Sequence, residues 1–252
     1  MKSNTSVQCN GHDLGADYGD AVGTDSGCGK IQNSGVPTTV DPYAGLATNI
    51  PTAPCFGFYP QEPFLFVSTW SGTKALSGNV KICGDLKLTG NVTVNAPSGA
   101  VLVIYNGRLD LNGFTLQTSS GSGLTVVFTG SSGGDDIHVP TGSGTLDIAA
   151  PTSGPWSGVA IYQAPALTFA VNLAVAGNNP TWNITGLVYL PHASVSFSGP
   201  ANKSTSGLSC FVLVVDNLNV SDTASVLSQG QCGAPGLNMP SSTAPGRGQL
   251  VF

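Results

Sequence analysis

Two neighbouring carboxylates, Asp135 and Asp136, stand in the run Ser131-Ser-Gly-Gly-Asp-Asp136. A pair of acids flanking a sugar linkage can act as general acid and base, so this feature points most directly to polysaccharide cleavage. The run is a Ser/Gly turn between strand-like segments, however. The arginines of the chain, Arg108 and Arg247, supply no motif for an acidic sugar. The pair is therefore read as a solvated turn. Asp110, Asp147 and Asp216 occupy comparable outward slots in short strand runs and would form a carboxylate groove if those runs lay in register. That groove belongs to a competing reading, a polysaccharide lyase or hydrolase or a carbohydrate-binding module.

The remaining chemistry-bearing residues are sparse. Gly130-Ser-Ser-Gly-Gly134 matches a GxSxG pattern. A nucleophile elbow must open a helix, and here acids and another strand follow, so the match is one of letters. His12, His138 and His192 are isolated in sequence and lack partners for a triad. Asp13, Asp17, Asp20 and Asp25 are weak candidates for calcium, which takes carboxylate and backbone oxygens. Their spacing is not that of an EF-hand loop, and they read as a solvated acidic loop. No catalytic residue and no cofactor is expected.

Cys9, Cys28, Cys55, Cys83, Cys210 and Cys232 are even in number and include no CxxC pair. Structural zinc favours close paired spacing, so disulfides in an oxidising compartment are the better reading. The connectivity stays open. Pairing in chain order would give Cys9–Cys28, Cys55–Cys83 and Cys210–Cys232.

The elements that position these residues are short strands. Val101-Leu-Val-Ile-Tyr105 leads to Leu109-Asp-Leu111 and Phe114-Thr-Leu116, and Leu124-Thr-Val-Val-Phe128 leads to Ile137-His-Val139 and Leu146-Asp-Ile148. Val159-Ala-Ile-Tyr162, Leu187-Val-Tyr189 and Phe211-Val-Leu-Val-Val215 open three more units of the same kind. The openings recur every 23 to 35 residues, with an earlier unit over Val80–Val94. An apolar opening strand followed by short x-polar-x strands is the pattern of a stacked repeat, because one unit cannot bury its apolar face alone. The expected fold is all-β, a right-handed parallel β-helix over 66–252, preceded by a loop-rich, disulfide-clamped segment over 1–65. The right hand follows from the crossover rule and from the resemblance given below. Tyr105, Phe128, Tyr162 and Tyr189 are expected to form an aromatic column, as a sugar platform or an internal stacking ladder. Thr115, Thr145 and Thr168 suggest an ice-binding array, but the unequal repeat lengths argue against a regular one.

Composition agrees with stacking. The 252 residues include 8 basic and 13 acidic side chains, 34 glycines and 17 prolines. Charged residues make up 8%, against about 25% in an ordinary soluble domain. Scattered cations and a net charge of −5 exclude nucleic-acid binding. The same scarcity excludes coiled coils, and 40% hydrophobic content excludes charge-driven disorder. No run reaches the roughly 18 apolar residues of a membrane-spanning helix. The polar start, Met1-Lys2-Ser3-Asn4, carries no apolar signal core, so a mature fragment or excised ectodomain is expected.

Several segments also resemble a known family. Cys28-Gly-Lys-Ile-Gln-Asn-Ser34, Asp41-Pro-Tyr-Ala-Gly-Leu46, Leu124-Thr-Val-Val-Phe-Thr-Gly130, the run from Ala150 to Gln163, Thr185-Gly-Leu-Val-Tyr-Leu-Pro191 and the strand after Cys210 follow in the order seen in the secreted region of TadG-like Flp (tight-adherence) pilus-assembly proteins. The resemblance implies a bacterial envelope or surface protein associated with such pili, with no catalytic residue to carry over. It implies an extracellular, cell-surface or periplasmic location. Partners would be further copies in a homo-oligomer or filament, pilus components or surface glycans.

Overall fold

The computed structural model describes residues 1–9, 17–52, 55, 66–131, 139–168, 171–175, 180–197, 202, 204–220, 232–234 and 236. They are mostly strand, and the one helical element among them is a 3-10 turn over Ala44–Asn49. The chain divides into two compact units, one built on Met1–Ala44 and one on Gly45–Asn238.

The small unit contains β1 (Lys2–Ser3), β2 (Val7–Gln8), β3 (Tyr18–Ala21), β4 (Asp25–Ser26) and β5 (Ile31–Ser34). β3 lies between β1 and β5, and β2 pairs with β4; all these pairs are parallel. Strands of two to four residues bury little by themselves. The Cys9–Cys28 disulfide closes the unit, and Asp25, 8% exposed, accepts a hydrogen bond from the Cys28 amide at 3.1 Å.

The large unit contains β6 (Ser68–Ala75), β7 (Gly78–Cys83), β8 (Leu86–Asn95), β9 (Ala100–Tyr105), β10 (Leu109–Asp110), β11 (Thr115–Thr118) and β12 (Leu124–Thr129). It continues through β13 (Pro140–Thr141), β14 (Gly144–Ala149), β15 (Val159–Gln163), β16 (Val171–Val175), β17 (Pro180–Phe197) and β18 (Phe211–Val220). These form a 13-stranded, wholly parallel sheet. Two ladders carry most of it. The first runs β6, β8, then β10 with β11, then β13 with β14, then the start of β17. The second runs β7, β9, β12, β15, the middle of β17 and β18. β16 joins the last part of β17, which also pairs with the end of β18.

Register explains the core. Val92, Leu116, Leu146 and Trp182 stand opposite one another in the first ladder, all fully buried. Val80, Leu102, Val126, Ile161, Val188 and Leu213 stand opposite one another in the second, buried from Leu102 onward. The apolar sides of both ladders merge into one cluster. β8 keeps the expected alternation, with Leu86, Leu88, Val92 and Val94 buried and Lys87, Thr89, Thr93 and Asn95 turned away. The second ladder departs from it. Val103, Val127, Tyr162 and Tyr189 are on its other side and are also buried, so both faces of these strands are covered. Strands covered on both faces read as continuous apolar runs, as Phe211-Val-Leu-Val-Val215 does.

The expected aromatic column is broken by this register. Tyr162 stacks on Tyr189 with centroids 4.7 Å apart, and the edge of Trp156 meets Tyr162 at 5.2 Å. Phe128 lies opposite Ile104 and Gln163, one position out of step with Tyr162, and a single step sends a strand residue to the other face. Tyr105 lies opposite Thr129. Thr115 and Thr145 are in register and continue to Thr181, whereas Thr168 is exposed outside any ladder.

Polar side chains stitch successive turns of the chain. Asp85 accepts a hydrogen bond from the Arg108 amide, Asn91 from Thr115 and Asn106 from Ser131, at 2.8–3.0 Å. Asn106 has φ 51°, and Gly107 beside it presses its Cα against the Gly84 backbone, where a Cβ would overlap the carbonyl. All cysteines are bridged, in chain order: Cys9–Cys28, Cys55–Cys83 and Cys210–Cys232.

Gly107→Ala is expected to cost about 1–3 kcal/mol in chemical denaturation because it overfills a backbone contact, while Gly45→Ala, in open space, should be near neutral. Non-reducing digestion followed by mass spectrometry should recover the three chain-order bridges. Reduction should remove roughly 3 kcal/mol per bridge.

Candidate functional site

The chain turns from the first ladder to the second at corners made of small residues. Pro97-Ser-Gly99, Ser120-Gly-Ser-Gly123, Pro151-Thr-Ser153 and Thr205-Ser-Gly207 line one open cleft of ≈ 360 Å³. Glycine and proline suit the sharp corner, and serine and threonine hydroxyls satisfy backbone groups that no strand pairs. Gly123 illustrates the closeness, since a Cβ there would run into the Pro151 backbone.

One carboxylate organises the floor. Asp147 occupies an outward position on β14, yet it is only 5% exposed, because residues 204–206 fold over it. Its Oδ1 accepts from the Ser204 hydroxyl at 2.7 Å and the Thr205 amide at 2.8 Å, and its Oδ2 accepts from the Thr205 hydroxyl at 2.6 Å. Hydrogen bonds to a charged acceptor are among the stronger ones, which compensates the loss of water around Asp147. Ser206 Oγ lies 2.7 Å from Thr118 Oγ1, which accepts from the Ala149 amide. Thr185 Oγ1 donates to the Leu208 carbonyl at 2.6 Å, and Ser122 Oγ accepts from the Ala96 amide at 2.9 Å. The floor hydroxyls are thus engaged in the scaffold, while Ser98, Ser120, Thr152 and Ser153 are exposed at the rim. The lining holds Pro, Ser, Gly, Ala, Thr and Leu and no ionisable side chain. Such a surface offers hydrogen bonds to a neutral polar partner.

The acids singled out from sequence fall in separate places. Asp110 stands opposite Lys87 and Thr141, 3.9 Å from the Lys87 ammonium, and caps the Asn112 amide. Asp147 stands opposite Gln117 and Asn183 in a different stretch of the first ladder, and Asp216 lies on β18. The register therefore does not bring these three together as a groove. Asp17 pairs with Lys30 at 2.8 Å on the surface, and that hydrogen bond and the ammonium charge hold its carboxyl below the usual range. Asp20 accepts from Asn33 at 2.7 Å, and Asp25 caps Cys28. Among the described residues no three His, Cys, Asp or Glu side chains converge as a cation site. Asp41 accepts from the Tyr43 amide; burial, and then the Asp41 charge, push the Tyr43 phenol up to about 12. His192 lies 3.0 Å from the Pro165 carbonyl. Asp13, His12, Asp135, Asp136, His138 and Arg247 lie outside the described residues.

The Asp147 clamp escaped sequence reasoning. Its partners are 57 and 58 residues away, in a stretch that carries only generic turn signals. Comparison with protein families, with curated proteins and with solved structures finds no match for this chain.

Asp147→Ala strands the Ser204 and Thr205 donors under the loop and should cost about 1–3 kcal/mol per unmade bond, in part recovered by water. Denaturation should register that loss, and amide exchange should quicken at Thr205 while β9 stays protected. Unchanged exchange at Thr205 would show that the clamp is not what holds the loop.

Proposed function

We propose that this chain is a non-enzymatic structural or adhesive module of the bacterial cell surface or extracellular space, folded as a right-handed parallel β-helix with the two ladders as its principal faces. Several features support the helical reading. Every strand pair is parallel, the partner of each strand lies one repeat along the chain, and such crossovers are right-handed in nearly all known sheets. Three disulfides suit an oxidising compartment, and no helix among the described residues is long and apolar enough to cross a membrane. The ordered resemblance to TadG-like pilus-assembly proteins favours a place beside tight-adherence pili.

The observation that carries the non-enzymatic reading is the employment of the acids. Every described aspartate accepts a hydrogen bond from the chain itself: Asp17 from Lys30, Asp20 from Asn33, Asp25 from Cys28, Asp41 from Tyr43, Asp85 from Arg108, Asp110 from Asn112, Asp147 from Ser204 and Thr205, and Asp216 from Asn217. A hydrolase or lyase on this scaffold would want at least two acids aimed together at an open groove. Here they pin turns and bind neighbouring strands. The mechanism is then geometric. A cross-linked, closely packed scaffold resists proteolysis and presents hydroxyl-rich corners to a polar partner such as a surface glycan.

The oxidised protein should survive prolonged protease treatment intact and show no turnover of polyuronides or neutral polysaccharides. Turnover that disappears in Asp136→Asn would overturn this reading in favour of a polysaccharide-active enzyme.

A further inference from the structure

Asp41-Pro42 is the only Asp-Pro step of the chain. It lies between the end of β5 at Ser34 and the 3-10 turn that opens at Ala44, and Gly45 begins the large unit. Asp41 and Pro42 are exposed, as is Val40 before them at 88%. The span is nevertheless held on both sides. Upstream, the Asn4 side chain donates to the Thr39 carbonyl and accepts from the Thr39 amide, each at 2.8 Å. Downstream, Tyr43 is buried at 4% exposure. Between these anchors, Asp41 Oδ1 accepts from the Tyr43 amide at 2.9 Å. That hydrogen bond spans the Asp41–Pro42 peptide, so it folds the carboxylate forward over the peptide.

The bond beneath this carboxylate is a tertiary amide, whose nitrogen departs as a secondary amine once it is protonated. Proline has no N–H, which closes the route by which a following main-chain nitrogen attacks an aspartyl side chain to form a cyclic imide. The intramolecular route that remains is attack by the carboxylate on its own main-chain carbonyl, which closes a succinic-type anhydride ring. Holding the nucleophile over the carbonyl replaces a chance encounter by a fixed approach, and such fixing accelerates the step. A titratable neighbour of Asp41, the Tyr43 phenol, is pushed up to about 12 by burial and then by the Asp41 charge, and it stays neutral in acid.

We infer that the Asp41–Pro42 bond is a self-cleavage site of the folded chain in mildly acidic surroundings. The Asp41 carboxylate attacks the Asp41 carbonyl carbon and forms a C–O bond. The C–N bond to Pro42 breaks, and its electron pair stays on the proline nitrogen, which takes a proton from solvent. Residue 41 is left as the anhydride, and one water opens it to an ordinary C-terminal aspartate. Nothing is oxidised or reduced. The cut has a defined consequence. Cys9–Cys28 lies before the bond, and Cys55–Cys83 and Cys210–Cys232 lie after it. No disulfide therefore holds the two products together, and the small unit parts covalently from the large one.

The test is intact-mass measurement, under denaturing and non-reducing conditions, on the oxidised full chain incubated with protease inhibitors at about pH 4, which supplies the proton for the departing nitrogen. The folded parent should yield residues 1–41 and 42–252 as separate masses. It should do so roughly tenfold faster than the same chain unfolded in denaturant at the same pH, where the turn is lost. Asp41→Asn, which removes the nucleophile, and Asp41→Glu, which lengthens it out of the turn, should stop the cut. Pro42→Ala should exchange cleavage for loss of one water at residue 41, because residue 42 then has an N–H and the cyclic imide can form. Both positions are exposed, and circular dichroism checks that each variant remains folded. A parent that stays intact overturns the inference, as does a folded chain that is cut no faster than the unfolded one. A cut that persists in Asp41→Asn overturns it too, since the carboxylate is then not the nucleophile. Polysaccharide turnover is a separate measurement and decides the structural reading whatever happens at this bond.

Discussion

Parallel, in-register pairing is the constraint from which the rest of this protein follows. Interior strands of the large unit, such as β9, β12 and β15, lie beside strands that come one repeat earlier and one repeat later. A side chain therefore meets whatever occupies the same slot on neighbouring repeats, about 4.8 Å away. Inside, that requirement is met by aliphatic columns such as Val92, Leu116, Leu146 and Trp182. Outside, it disfavours like charges in one column, because directly opposed like charges repel. The sparse charge of the chain is thus a consequence of its pairing pattern.

The same constraint explains what the few acids do. A buried or half-buried carboxylate in a ladder is tolerated where donors from the next repeat reach it. Asp85 receives both the amide and the guanidinium of Arg108, at 2.9 and 2.8 Å. Asp147 receives three donors from residues 204 and 205. Asparagine does the neutral version of the same work at Asn91 and Asn106. These contacts tie one repeat to the next and set where each corner turns. The cleft at the corners inherits its character from them, with hydroxyls spent on the floor and free at the rim.

The disulfides act where repetition provides least. The small unit has strands of two to four residues and is bridged by Cys9–Cys28. In the large unit, Cys55–Cys83 ties the end of the first strand of the second ladder, and Cys210–Cys232 ties the residue that enters β18. Both bridges stand at strands that, among the described residues, pair with a strand on one side only. Cross-linking restricts the unfolded chain at these places, so the gain does not depend on further packing.

Sequence by itself determined the strand content, the recurrence of short strands and the pairing potential of six cysteines. These depend on local composition and on period, which a chain carries wherever it goes. Register was decided only in the folded molecule. Repeats of unequal length do not reveal which residue faces which. Phe128 therefore left the expected aromatic column, and Asp110, Asp147 and Asp216 did not gather. The covered outer side of the second ladder was concealed for the same reason, because an apolar run does not say how many of its faces are buried. The clamp on Asp147 was the least legible feature. Its donors are ordinary turn residues far along the chain, and only the path of residues 204–206 over β14 gives them an acceptor.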